Sequence, residues 1–142
     1  MKIAIAIASD HGGLQAKQEI ILALHKLGHI IRDFGTDSEE SCDYPDFAKV
    51  VCELVASNGS DFGILLCGTG IGMSMAANRN PKIRAGLCKD IQTAELTRQH
   101  NNANVLCLGA RVTDLGDMIE IAKTFIATAF EGGRHQNRID KF

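Results

Sequence analysis

The chain has 142 residues, 45% of them hydrophobic, which is enough to bury one core and too little for two ordinary domains. Lys and Arg number 15 against 17 Asp and Glu, so the formal charge is −2, and the spread of basic residues excludes the electrostatic footprint of a nucleic-acid binder. Five cysteines, at 42, 52, 67, 88 and 107, form no CxxC pair, which argues against a disulfide framework and against a metal site of the zinc type.

The first run, KIAIAIA (2–8), is apolar and β-rich, too short to span a membrane, and lacks a secretory cleavage site, so the expected address is cytoplasmic with no membrane partner. GGLQAKQEIILALHKLG (12–28) places Leu14, Ile20, Ile21, Leu24 and Leu27 at helical spacing and stops at Gly28. HIIRDFG (29–35) reads as a second strand, and the stretch 38–59 as an acidic start, a proline and a second amphipathic helix. DFGILLC (61–67) is a third strand and GIGMSMAANRN opens a helix. IRAGLC (83–88) is a fourth strand, followed by the helix DIQTAELTRQHNN, and NVLCLGA (104–110) is the fifth, followed by a helix over 115–130. The tail EGGRHQNRIDKF (131–142) is charged and lacks the apolar spacing of a core element.

Strands that alternate with helices pair in parallel, and near-continuous apolar strands suit burial on both faces. The expected fold is therefore α/β, a three-layer α/β/α sandwich with a five-stranded parallel, Rossmann-like sheet. The doubly-wound family suggests strand order 2-1-3-4-5, with a ligand crevice where strands 1 and 3 diverge at their carboxyl ends. SDHGG and CGTGIG both end there.

Gly68, Gly70 and Gly72 sit between a strand and a helix, where bare backbone N–H groups favour an anion; three glycines exceed what a tight turn needs. A dinucleotide fingerprint would need glycine at position 73, which is Met73, so NAD is disfavoured. Cys67 opens the loop, where amide donors would favour its thiolate. A thiol phosphatase would place arginine at the Met73 position, which leaves a general-base role open for the thiol. Asp10 and His11 end the first strand at the same crevice. His100 and Asn101 end the fourth helix, where a histidine can also simply complement the helix dipole. Arg111, Arg134 and Arg138 can form a guanidinium cluster for a phosphate, or the tail pair can be a solvated basic face. Tyr44, the only tyrosine, contacts the same ligand or caps the second helix.

The motifs SDHGG, DYPDFA, CGTGIGMSMAANR, IRAGLC, TRQHNNANVLCLGAR and EGGRHQNR, in this order and over nearly the full length, resemble the type B ribose-5-phosphate isomerases. These lie within a larger family that includes galactose-6-phosphate isomerase subunits. The resemblance implies a single isomerase domain over 1–142 that interconverts ribose 5-phosphate and ribulose 5-phosphate, a pentose phosphate pathway step, through an enediolate and without metal or organic cofactor. It implies that Cys67 is the base between C1 and C2, that Gly68, Thr69, Gly70, Ile71 and Gly72 hold the enediolate, and that Thr69 hydrogen-bonds near the reacting oxygens. It further implies that His100 assists ring opening, Asp10 contacts the sugar, Asn101 positions it, and His11, Arg111, Arg134 and Arg138 hold the phosphate. Members are homodimers, in some cases dimers of dimers, with shared active sites, and the tail 131–142 reaches the partner subunit. Some relatives replace the cysteine by a glutamate elsewhere, but this chain keeps Cys67. Six-carbon sugar phosphates such as allose 6-phosphate suit a pocket of this kind. Rivals from other classes are a noncatalytic sugar-phosphate sensor and a phosphocysteine carrier domain, although a carrier cysteine usually follows the first strand and Cys67 follows the third.

Overall fold

The computed structural model describes all residues 1–142. Five strands, β1 (Ala4–Ser9), β2 (Ile30–Asp33), β3 (Phe62–Cys67), β4 (Ala85–Leu87) and β5 (Val105–Gly109), alternate with the helices α1 (Leu14–Lys26), α2 (Tyr44–Ala56), α3 (Ile71–Ala77), α4 (Ile91–Asn101) and α5 (Leu115–Ala127). A sixth helix, α6 (Arg134–Ile139), closes the chain. All four strand pairs are parallel, as the alternation predicts.

The period of two along each strand builds two cores. Ile5, Ile7, Ile64, Leu66, Leu106 and Leu108 face one side, where they meet Ile20 and Leu24 of α1, Ala94 of α4 and Ile121 and Phe125 of α5. Ala6, Ala8, Leu65, Cys67, Val105 and Cys107 face the other, against Val51 and Val55 of α2 and Met73 of α3. The result is the expected three-layer sandwich. Leu27, at helical spacing with the core residues, is instead exposed, because α1 ends at Lys26.

The strand order is β2-β1-β3-β5-β4, not 2-1-3-4-5. Burial accounts for the exchange. All five residues of β5 are buried, which requires a neighbour on both sides, whereas the three-residue β4 is only partly buried and suits an edge. The divergence of β1 and β3 is unaffected.

The tail, charged and mostly exposed as its sequence indicates, forms α6 and packs on α4. Its anchor is polar and so leaves no apolar period in the sequence. Arg98, buried in α4, lays its guanidinium 4.7 Å from the Phe62 ring centroid and donates to the carbonyls of Ala103 at 2.6 Å and Thr128 at 3.1 Å. Those bonds fix the chain just before the tail, and the Glu131 N–H then donates to Gln99 O at 3.1 Å. No helix is long and apolar enough to cross a membrane.

Candidate active site

The carboxyl edge of the sheet gathers the loops after β1, β3 and β5. Cys67 is the last residue of β3, and 5% of it is exposed. Gly70 adopts a left-handed φ of +79°, and its N–H points back to donate to Cys67 Sγ at 3.2 Å. That turn depends on glycine, since side chains are disfavoured at such a φ. Burial pushes the thiols of Cys52 and Cys88 up to about 11 and that of Cys107 well above the ordinary value, so these three are packing residues.

Around Cys67 the structure brings together most of the residues singled out in the sequence. Asp10 follows β1, is 8% exposed, and accepts the Gly12 N–H on Oδ1 at 2.9 Å, which leaves Oδ2 for other partners. The Arg111 N–H donates to Gly68 O at 2.9 Å, and its guanidinium lies across both loops. A Cβ at either Gly12 or Gly68 would come within 3.3 Å of it. Tyr44 opens α2 and lays its ring on Gly72, where a Cβ would meet the phenol oxygen at 2.7 Å. Thr69 is exposed and accepts the Ile71 N–H on Oγ1 at 3.2 Å. His11 accepts the Cys42 N–H on Nδ1 at 3.3 Å, which leaves its proton on Nε2 as an outward donor.

His100, Asn101, Arg134 and Arg138 are not there. The helices of a parallel α/β sandwich run against the strands, so the end of α4 lies at the amino edge. Arg84, immediately before β4, confirms the placement by donating its Nε–H to Asn101 O at 3.1 Å. A six-residue strand spans about 20 Å, so the two groups stand about that far apart in one chain. The crevice at the carboxyl edge thus holds the loops after β1 and β3 with Arg111 and Tyr44, and the other four residues lie at the opposite end of the chain.

At the amino edge, the His100 and His135 rings stack with centroids 4.3 Å apart, and Glu131 faces both. Glu131 carried no signal in the sequence reading except its spacing of four from His135 across Gly132 and Gly133.

A family model described as Ribose/Galactose Isomerase matches residues 5–142. The chain belongs to the ribose/galactose isomerase family. Within that family it is 44% identical over 136 residues to ribose-5-phosphate isomerase B of Escherichia coli, covering 96% of this chain and 91% of that one. Among solved structures, ribose 5-phosphate isomerase of Thermotoga maritima is 51% identical, with a TM-score of 0.96 over 98% of this chain and 96% of the other. Ribose-5-phosphate isomerase B of Mycoplasma genitalium, solved with bound ribulose-5-phosphate, is 47% identical, with a TM-score of 0.94 over 96% and 91%. The five-stranded parallel fold of the ribose/galactose isomerase family is therefore that of this chain.

Proposed function

We propose that the chain interconverts D-ribose 5-phosphate and D-ribulose 5-phosphate through an enediolate, at sites built from two subunits. The observation that carries this reading is the amide of Gly70 on the Cys67 sulfur at the sheet's carboxyl edge, beside Asp10 and Arg111. The M. genitalium relative with bound ribulose-5-phosphate supports the choice of sugar.

The chemistry follows from the groups present. Removing a hydrogen from carbon next to a carbonyl creates an oxyanion, and donors already aimed at that charge stabilise the transition state more than the substrate. The Cys67 thiolate takes the proton from C2 of the open-chain aldose and returns it to C1. With the Gly70 and Ile71 N–H groups engaged by Cys67 Sγ and Thr69 Oγ1, the other backbone N–H groups of the loop Gly68 to Gly72 and the Thr69 hydroxyl meet the reacting oxygens. Asp10 holds the sugar hydroxyls through Oδ2. His11 donates Nε2–H to the phosphate and Arg111 supplies charge, so the remote phosphate aligns C1 and C2 with the sulfur.

The remaining parts come from a second chain. His100, Asn101, Arg134 and Arg138 lie at the amino edge, so a homodimer that sets this edge against the partner's carboxyl edge completes both sites by symmetry. The tail 131–142 then serves the neighbouring subunit: His100 acts in opening the furanose ring, Asn101 positions the sugar, and Arg134 and Arg138 complete the phosphate cradle. Five free thiols fit a reducing cytoplasm.

A panel of five- and six-carbon aldose phosphates compared by kcat/KM tests the reading. Ribose 5-phosphate is expected to lead, and ribulose 5-phosphate is the product. A preference for allose 6-phosphate would transfer the same chemistry to six-carbon sugars, and binding without turnover would make the chain a sensor.

A further inference from the structure

Gly132 and Gly133 adopt left-handed backbones, φ +71° and +57°, and turn the chain after Glu131 so that His135 of α6 returns onto α4. Glu131 is tied there by its own N–H, which donates to Gln99 O at 3.1 Å, one residue from His100. The two imidazoles stack with planes 15° apart. One carboxylate oxygen, Glu131 Oε1, stands 3.6 Å from His100 Nε2 and 3.8 Å from His135 Nε2. The His135 side chain is 8% exposed, that of His100 39% and that of Glu131 51%, so His135 backs the His100 ring while Glu131 flanks it at the surface.

Two stacked imidazoles cannot both carry a proton cheaply, and their surroundings decide which does. Burial, then His100, Arg134 and Arg138, hold the His135 pKa below the ordinary histidine value against the opposing pull of Glu131. His135 therefore favours its neutral form, and it stacks on a His100 whose Nε2 faces the Glu131 carboxylate at 3.6 Å. The same three groups make a poor metal site, because near-parallel rings send their lone pairs side by side rather than to one point.

We propose that Glu131 is a positioning residue for ring opening, its carboxylate holding His100 by Nε2 so that Nδ1–H is the atom left for the sugar. This rests on the ring-opening role given to His100 above. In that step the C1–O4 bond breaks and C1=O1 forms. The ring oxygen takes the proton from His100 Nδ1, the hydroxyl proton on O1 leaves to solvent, and solvent returns a proton to Nδ1. His135 keeps the acid in place by stacking. The arrangement mirrors the general rule that a carboxylate on one imidazole nitrogen fixes what the other can do.

The test uses the full chain with E131Q and E131D beside the wild type, after thermal melting and size measurements show the same fold and assembly. Two readouts separate ring opening from proton transfer. Isomerisation of ribose 5-phosphate starts from a closed furanose. Wash-in of solvent deuterium at C1 of ribulose 5-phosphate starts from an open chain, because the C5 oxygen of that sugar carries the phosphate. E131Q is expected to lower kcat for isomerisation about tenfold, a fraction of the roughly 10²–10⁴ that a positioned acid contributes. Deuterium wash-in stays within about twofold of the wild type, and E131D recovers part of the loss. Unchanged isomerisation in E131Q, or equal loss of isomerisation and exchange in folded protein, overturns the proposal alone. A wild type that neither isomerises nor exchanges sinks the functional reading and this one with it.

Discussion

Replacing Gly70 by alanine tests whether the loop's backbone, rather than its side chains, serves the thiol. The position has φ +79°, which costs a side-chain-bearing residue about 1–2 kcal/mol. A Cβ there would also lie 2.5 Å from Leu87 Cδ1, 2.9 Å from the carbonyl carbon of Leu108 and 3.1 Å from its oxygen. Leu87 is on an edge strand and can shift, whereas the Leu108 backbone is held within β5, between β3 and β4. The loop must therefore yield, at a further cost of about 1–3 kcal/mol for overpacking. Its displacement draws the Gly70 N–H away from Cys67 Sγ, now 3.2 Å distant. That loss disfavours the thiolate, and the same displacement carries the neighbouring loop amides off the reacting oxygens, where loss of one donor lowers kcat by about 10²–10³. The assay pairs thermal melting with initial rates on ribose 5-phosphate at a temperature where the variant is fully folded. Gly70→Ala is expected to melt lower and to lose kcat by at least about a hundredfold. A variant that melts lower yet turns over like the wild type would refute the donor argument, and one that matches the wild type in both would refute the geometry.

Two further outcomes follow from the arrangement. Cys67→Ala and His100→Ala chains, each inactive alone, are expected to recover about a quarter of wild-type activity when mixed equally and allowed to exchange subunits, since half the dimers then hold one intact site; no recovery would mean that the two edges do not meet across an interface. Thermal stability is expected to hold up to about pH 9 and to decline toward pH 11. Cys52 and Cys88 have folded pKa values raised from 9.0 to about 11, so the unfolded chain releases their protons first and stability is lost as pH rises through that window. Alanine at both positions should flatten the decline in a melting series from pH 8 to 11, and an unaltered slope would place its origin elsewhere.

The layers were legible because each strand's alternate residues serve different cores, as Ile5 and Ile7 do against Ala6 and Ala8. The order of β4 and β5 was not, since both read as short apolar runs and the difference lies in how many neighbours each must have. The chemistry at Cys67 was legible because glycines at 68, 70 and 72 have few other reasons to follow a buried strand. α6 was hidden because its anchor is a stack of imidazoles and backbone bonds, which leave no hydrophobic period. The position of His100 was available in principle, because a residue ending a crossover helix sits opposite the strand ends. Glu131 escaped notice because its partners lie on another helix, and only folding brings His100 to it.

Replacing the thiol itself bears most directly on the chemistry. Cys67→Ala, a loss of one buried sulfur at a strand end, is expected to keep the fold and to bind a sugar phosphate with little change by calorimetry. In D2O, the wild type should carry solvent deuterium into ribulose 5-phosphate as it turns over, and the alanine variant should neither turn over nor exchange. Turnover by the variant, or turnover by the wild type without deuterium entering product, would remove the sulfur from proton transfer and call for a hydride shift between the two carbons.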